Sequence, residues 1–353
     1  MRVLFDGFWW GRGPVSNRQV LREFILAWAK EYPEDDVIVA VRRRDRKVAR
    51  AELPAAVAIA GTRLSPQGIS AIAELPFVAR RVRADVTITH NFTPAFGRAA
   101  VFVHDYLFLT APEWFTRKER AYFVLMPLTA RRARWLFTSS ASEADRISRL
   151  SRGRMVVPVG LAVGSGLTGA SPCRPAGLEG LGDGFLLCVG RLNARKNLAN
   201  TIGAALASGR VTDAAPLVIV GEPQGRDAVL SDDVAEAVRR GAVRFLGFID
   251  DDELAWLYSN ASALLFLTRD EGFGLPALEA LHFGAPLVVS DLPVFREILG
   301  RRASFTDPED VAAIAAAIRE APPRSAPIDT TTLGYSWDES VRRMRGAIIA
   351  SGS

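Results

Sequence analysis

The sequence predicts an α/β protein of two doubly wound, Rossmann-like domains facing a cleft. Three observations predict it. Short apolar, β-branched runs alternate with segments of helical spacing in both halves of the chain. A length of 353 residues is too great for one ordinary hydrophobic core. Between the halves lies a stretch rich in Gly, Ser and Pro, residues 160–184, after which a fresh strand–helix series begins.

In order along the chain, residues 2–6 form a short apolar strand. Residues 17–32 carry apolar side chains at helical spacing (Val20, Phe24, Ala27, Trp28). Residues 37–41 are a second strand, followed by a basic loop. Residues 84–89 and 99–103 are two more strands, rich in β-branched side chains. Residues 121–133 and 141–150 read as helices, with strands at 134–139 and 155–159 around the latter. After the glycine-rich stretch, strands are expected at 185–189, 216–220, 243–246, 263–267 and 286–289. Helical segments between them include 197–208, 233–239 and 252–258. Apolar strands alternating with helices imply parallel sheets covered on both faces. The expected division is a first domain over 1–162, a linker over 163–184 and a second domain over 185–335. Residues 336–353 then form a last helix.

The composition narrows the class. Hydrophobic content of 49% with 24% charged residues is that of a globular chain, not a disordered one. No run approaches the ~18 consecutive apolar residues that a membrane span needs. An acid at Asp6 interrupts the N-terminal apolar run, so no signal peptide is read. Cys173 and Cys188 make neither a disulfide framework nor a zinc site, which fits a reducing cytoplasm. Residues 1–165 hold 26 Lys+Arg against 15 Asp+Glu, whereas the remainder holds 18 against 24. A first half at +11 on a second half at −6 is either an arginine-rich solvated surface or a face that meets anionic lipid or a phosphate-bearing acceptor. Aromatics do not alternate with the basic clusters, and no nucleic-acid-binding motif is present, so nucleic acid is not expected.

The most informative segment is Glu271-Gly-Phe-Gly-Leu-Pro-Ala-Leu-Glu279. It reads as strand, tight loop and helix, with Pro276 in the first turn where a missing N–H costs nothing. Glu271 then lies at the helix mouth and Glu279 further inside. Free amides between them favour an anion. Amides for phosphate, flanked by carboxylates for hydroxyls, suit a sugar nucleotide. A second loop, Gly190-Arg-Leu-Asn-Ala-Arg-Lys196-Asn, directly follows a strand. Loops at strand C-termini in open sheets form the ligand crevice. Asp250-Asp251-Asp252 precedes a helix and reads as its cap before it reads as a metal site.

These segments resemble the E-x7-E and G-R-x4-K-N elements of retaining GT-B glycosyltransferases, glycosyltransferase family 4. Matches run over residues 85 to 345. The resemblance implies that Arg191 and Lys196 hold the donor diphosphate without a metal ion. Glu271 would hold sugar hydroxyls, and Glu279 the ribose. Gly190 and the amides of Gly272, Phe273, Gly274 and Leu275 would line the donor site. Main chain near Phe248 and Ile249 would read the base. The strand ending in His104-Asp105 resembles the family's strand whose histidine reaches the donor sugar. Gly11 and Gly13 occupy the place of the family's glycine-rich loop, although Arg12 separates them. Trp9 and Trp10, read as exposed, and Asn91 are assigned to the acceptor. The last helix resembles the family's terminal helix that crosses back to the first domain.

The expected reaction is metal-independent, retaining transfer of a hexose, of mannose or rhamnose type, from a nucleoside-diphosphate sugar to a saccharide or lipid-linked acceptor. No cofactor is expected. The expected setting is the cytoplasm, with the basic first domain able to meet the anionic inner face of the plasma membrane. Two other readings stay open: a nucleotide-sugar epimerase on the same fold, and a non-catalytic binder of anionic surfaces or nucleic acid.

Overall fold

The structure is a computed structural model that describes residues 1–178, 181, 184–222 and 232–350. The chain divides into two compact units, one of Met1–Gly164 with Tyr335–Ser353, the other of Ser165–Gly334.

The first unit holds a seven-stranded sheet: β1 (Arg2–Asp6), β2 (Asp36–Arg42), β3 (Ala58–Thr62), β4 (Val86–His90), β5 (Ala99–Phe102), β6 (Trp135–Thr138) and β7 (Val157–Pro158). Their spatial order is β3-β2-β1-β4-β5-β6-β7, and every pair is parallel. The order reverses direction between β1 and β4, which defines a topological switch point. β1, β4 and β5 are almost wholly buried, as strands covered on both faces must be.

The second unit holds six strands: β8 (Leu186–Val189), β9 (Leu217–Val220), β10 (Val243–Gly247), β11 (Ala263–Phe266), β12 (Leu287–Ser290) and β13 (Ser304–Thr306). Their order is β10-β9-β8-β11-β12-β13, again all parallel, with the switch between β8 and β11. The apolar sequences of β8, β9, β11 and β12 are buried at every residue.

Three expectations need correction. The stretch over 163–184 is not a free linker. The chain passes between units at Gly164, and the residues beyond pack on the second unit. There the amides of Ser171 and Cys173 donate to Asp252, and Leu178 and Leu181 are buried. Residues 179, 180, 182 and 183 of the expected linker lie outside the described residues. The helix read over 121–133 is two helices, Arg117–Phe123 and Leu125–Ala130. Pro127 has no N–H for the carbonyl of Phe123, and its ring crowds that carbonyl, so the helix breaks there. Strands β3 and β13 were not foreseen.

The helix Trp337–Ala350 belongs to the first unit. It buries Trp337, Val341, Met344 and Ile348, each worth about 2 kcal/mol of apolar transfer. The Trp337 indole donates to Val163 O at 2.9 Å and Ser340 Oγ to Gly160 O at 3.2 Å. Arg345 Nε donates to Asp35 Oδ2 at 2.9 Å, and the N-terminal ammonium of Met1 lies 2.6 Å from Asp35 Oδ1. No described helix is long and apolar enough to cross a membrane.

Candidate active site

In the second unit, the loops after β8 and β11 sit side by side at the switch point. The β8 loop turns at Gly190 (φ +141°), and a Cβ there would come within 3.2 Å of the Lys196 side chain. Asn193 then caps a 3-10 turn, Ala194–Lys196, and Asn197 takes the left-handed conformation (φ 54°) before the helix Leu198–Ala207. That turn aims Lys196 back under the loop. Its Nζ lies 2.7 Å from Glu271 Oε2 and 4.2 Å from the centre of the Phe266 ring. Arg195 Nη1 takes the other oxygen, 2.9 Å from Glu271 Oε1, and also donates to Asp270 O.

Glu271 is therefore clamped between two cations, and all three side chains are largely buried. Burial pushes its carboxyl up, but the charges of Arg195 and Lys196 and their hydrogen bonds outweigh it, leaving about 2. Burial acts on Lys196 in the same sense of disfavouring charge. It lowers the ammonium to about 8 despite the attraction of Glu271.

After Glu271 the chain enters the helix Leu275–His282 through Gly274, which is left-handed at φ +95°. A Cβ on Gly274 would stand 2.4 Å from Phe295 Cε1, so glycine is required twice over. Gly272, Phe273 and Leu275 are buried, and Pro276 occupies the first turn. Glu279 lies on the buried face of this helix and accepts from the Tyr258 hydroxyl at 2.9 Å. Burial raises its carboxyl to about 7, against the lowering effect of that hydrogen bond.

Arg191 is half-buried on the β8 loop and takes part in polar contacts. The loops after β8, β9 and β10 are tied in series. A Cβ on Gly221 would meet Gly190 O at 1.9 Å, and the Gly221 amide donates to Gly247 O at 2.9 Å. Phe248, 64% exposed, and half-buried Ile249 follow directly. The acid run beyond is a helix cap: Asp250 Oδ1 accepts from the Glu253 amide, and Glu253 reaches back to the Asp250 amide. Among the described residues, no group of three potential metal-ligating side chains occurs. Arg195 is the residue that sequence reasoning missed. One more arginine in a basic loop carries no signal until the fold sets it against Glu271.

In the first unit, the switch-point residues are Asp6 and His90, with His104 beyond the next strand. Parallel pairing sets His90 beside Phe102, and the chain then brings His104 over it. The two imidazoles stack at 5.4 Å, with His90 Nδ1 3.3 Å from His104 Nε2. His90 is buried among Phe24, Phe102 and His104, and its Nε2 has no hydrogen-bond partner. Burial, and secondarily the nearby His104, hold His90 well below its ordinary value. Asp6 accepts from Gln67 Nε2 at 3.2 Å and from the Phe8 amide at 3.1 Å. Burial raises it to about 6.

The exposure expected of Trp10 needs correction, and Trp9 and Asn91 have structural partners of their own. Trp10 is 1% exposed, and its Nε1 donates to Glu52 Oε2 at 2.7 Å, so it is a core residue and not an exposed stacking surface. Trp9 is half-buried and lies over Gly13, where a Cβ would meet its ring at 2.2 Å. Asn91, left-handed at φ 64°, accepts the His104 amide on Oδ1 at 3.2 Å and acts as a brace for that histidine. Gly11 is required because a Cβ would meet the Asp45 carboxylate at 2.6 Å.

A pair of doubly wound parallel sheets, with a cation-clamped carboxylate at a helix mouth, defines the GT-B class. The family model of glycosyl transferases group 1 matches residues 174–322. The match covers 149 of the chain's 353 residues and marks a glycosyltransferase. It is 31% identical over 230 residues to the O-antigen chain mannosyltransferase B of Escherichia coli, covering 63% of this chain and 60% of that protein. It is 28% identical over 226 residues to an O-antigen chain mannosyltransferase of Salmonella typhimurium, covering 64% of this chain and 61% of that protein. The chain thus spans about three fifths of the length of these curated relatives. The sucrose-phosphate synthase of Thermosynechococcus elongatus superposes with a TM-score of 0.64 at 16% identity, covering 98% of this chain and 94% of that one. The lipopolysaccharide outer core galactosyltransferase WaaB superposes with a TM-score of 0.60 at 16% identity, covering 99% of this chain and all of that one.

Proposed function

We propose that the chain transfers a hexose, of mannose or rhamnose type, from a nucleoside-diphosphate sugar to a hydroxyl of a saccharide or lipid-linked acceptor, in surface-polysaccharide or glycolipid synthesis. The observation that carries this reading is the Arg195–Glu271–Lys196 clamp at the mouth of the helix Leu275–His282, with Glu279 one turn inside. The two mannosyltransferases favour a mannosyl donor and a saccharide acceptor.

In this reading, Lys196 and Arg191 neutralise the charge that grows on the leaving diphosphate, and no metal ion is needed. The amides of Gly272 to Leu275 share that task. Glu271, already ionised and paired, accepts hydrogen bonds from the sugar hydroxyls. An anion held by two cations is a poor nucleophile, which favours front-face departure. There the leaving phosphate takes the acceptor's proton, and the anomeric configuration is retained. Glu279 takes the ribose hydroxyls. The reaction is set in the cytoplasm, where nucleotide sugars are made.

The test is thermal-shift binding against GDP-, UDP-, ADP- and dTDP-sugars in the presence of EDTA, with wild type beside Glu279→Ala and Lys196→Ala. Ligand at a hundred times its Kd stabilises the wild type by ~2.7 kcal/mol. A shift with one nucleotide class that both variants lose supports the reading and names the donor. No shift with any of them ends it.

A further inference from the structure

The outer helical face of the first unit carries apolar side chains where a water-facing surface would carry polar ones. A helical segment runs over residues 67–82. A wider turn at Ser70–Glu74, where the Leu75 amide donates to Ser70 O five residues back, brings positions four apart into line. Its outward stripe is Ile69, Ala73 and Phe77, all exposed, and it ends in exposed Arg80 and Arg81. The helix Leu125–Ala130 repeats the pattern. Val124 and Leu128 face outward, and exposed Arg131 and Arg132 follow. Between them, Phe96 stands edge-on to Phe77 with ring centres 5.3 Å apart.

These pieces form one surface. The Ala95 amide donates to Ile72 O at 3.0 Å, and Arg132 Nη1 donates to Ala95 O at 3.3 Å. The Thr93 amide donates to Thr129 Oγ1 at 3.2 Å. Phe77 is 65% exposed and the ring beside it, Phe96, 47%, so two aromatic side chains meet solvent together. Residues 67–84, 95–98 and 117–134 together hold ten Lys and Arg but only two carboxylates, Glu74 and Glu119. Both carboxylates are engaged: Glu74 accepts from the amides of Arg63 and Leu64, and Glu119 closes a capping box with Thr116.

We propose that this face docks on an anionic lipid bilayer, with Phe77, Phe96 and Leu128 entering the headgroup boundary and the paired arginines meeting lipid phosphates. Apolar wedges surrounded by guanidinium groups match an interface that is apolar below and negative above. A second copy of the chain is a poorer occupant, because a two-fold contact sets these arginines against their own copies.

The test is flotation of the full chain with vesicles of equal parts phosphatidylglycerol and phosphatidylcholine, beside vesicles of phosphatidylcholine alone. Binding is expected to the anionic vesicles only, and it falls at ~1 M salt, where the Debye length is about 3 Å. Phe77→Ser with Phe96→Ser lowers the partition coefficient roughly tenfold. Arg80→Glu with Arg81→Glu lowers it at low salt and flattens the salt dependence. These side chains are exposed, so the unfolding temperature of each variant stays that of the wild type. Equal partitioning of the wild type and the double-serine variant, or equal affinity for both vesicles, overturns the proposal. So does self-association that the double-serine variant abolishes, which assigns the face to a second copy. Nucleotide binding tests the loops of the second unit and not this face. Its failure with vesicle binding intact overturns the transferase reading and leaves this one standing.

Discussion

The Tyr258 hydroxyl donates to Glu279 Oε2 at 2.9 Å, and both groups are buried. One phenol does not replace the water that a carboxylate loses, so Glu279 is raised to about 7 from an ordinary 4.5. The group is under-solvated in the fold. Between about 4.5 and 7 the folded state binds a proton that the unfolded chain has released. Stability therefore falls as pH rises through that window, by about 3 kcal/mol in all. Glu279→Gln should be more stable than the wild type at pH 8 and no more stable at pH 4, while binding nucleotide more weakly. Urea unfolding at both pH values checks it, and a stability difference independent of pH contradicts it.

Glu271 behaves in the opposite sense. Its folded value near 2 lies below the ordinary 4.5, so its contribution is full above that pH and is lost as pH falls towards 2. Glu271→Gln leaves Arg195 and Lys196 largely buried without their anion, and should cost about 3 kcal/mol at pH 7. Replacing Lys196 by Met in the same chain should recover part of that loss, since one stranded charge is then gone. Additive losses in the double variant would show that the pair does not interact.

Gly221→Ala should cost about 2 kcal/mol or more and weaken nucleotide binding. The residue sits at φ +137°, and its new methyl group would overlap a backbone oxygen, Gly190 O, that cannot rotate away. Gly203→Ala, which meets nothing within 4 Å on the helix Leu198–Ala207, is the control and should be neutral or stabilising. Thermal unfolding of the two variants separates the effects.

His90 is held neutral by burial between Phe24, Phe102 and His104. Its folded value lies below the ordinary 6.5, so the unfolded chain takes up a proton that the folded state refuses. Stability is lost as pH falls below 6.5. His90→Phe should flatten that acid limb, and denaturant midpoints between pH 7 and 5 measure it. An unchanged limb would mean that His90 is already charged in the fold.

The parallel sheets were legible because strands buried on both faces are apolar throughout, as in Leu217–Val220 and Ala263–Phe266. The strands that escaped notice lack that mark. Ala58–Thr62 is an edge strand of small residues, and Ser304–Thr306 has three residues, two of them polar. The Glu271 and Lys196 loops were legible from glycine and proline placement. What no local pattern encodes is which side chains the fold sets against one another. Arg195 meets Glu271 across 76 positions of sequence, and Tyr258 meets Glu279 from a neighbouring helix. Trp10 misled for a related reason: its partner Glu52, which makes a tryptophan in a glycine-rich loop part of the core, lies 42 residues away.

The helix Trp337–Ala350 completes the first unit, although the whole second unit is synthesised before it. On the ribosome, the earlier-made unit must wait for the later one. Until the helix arrives, the surface that receives Trp337 and Met344, along with the Val163 and Gly160 carbonyls, stays open. A nascent chain halted near residue 334 would carry a finished second sheet and an unfinished first one. The first unit is thus the part most dependent on chaperone cover during translation, and the part that a late frameshift would strike first.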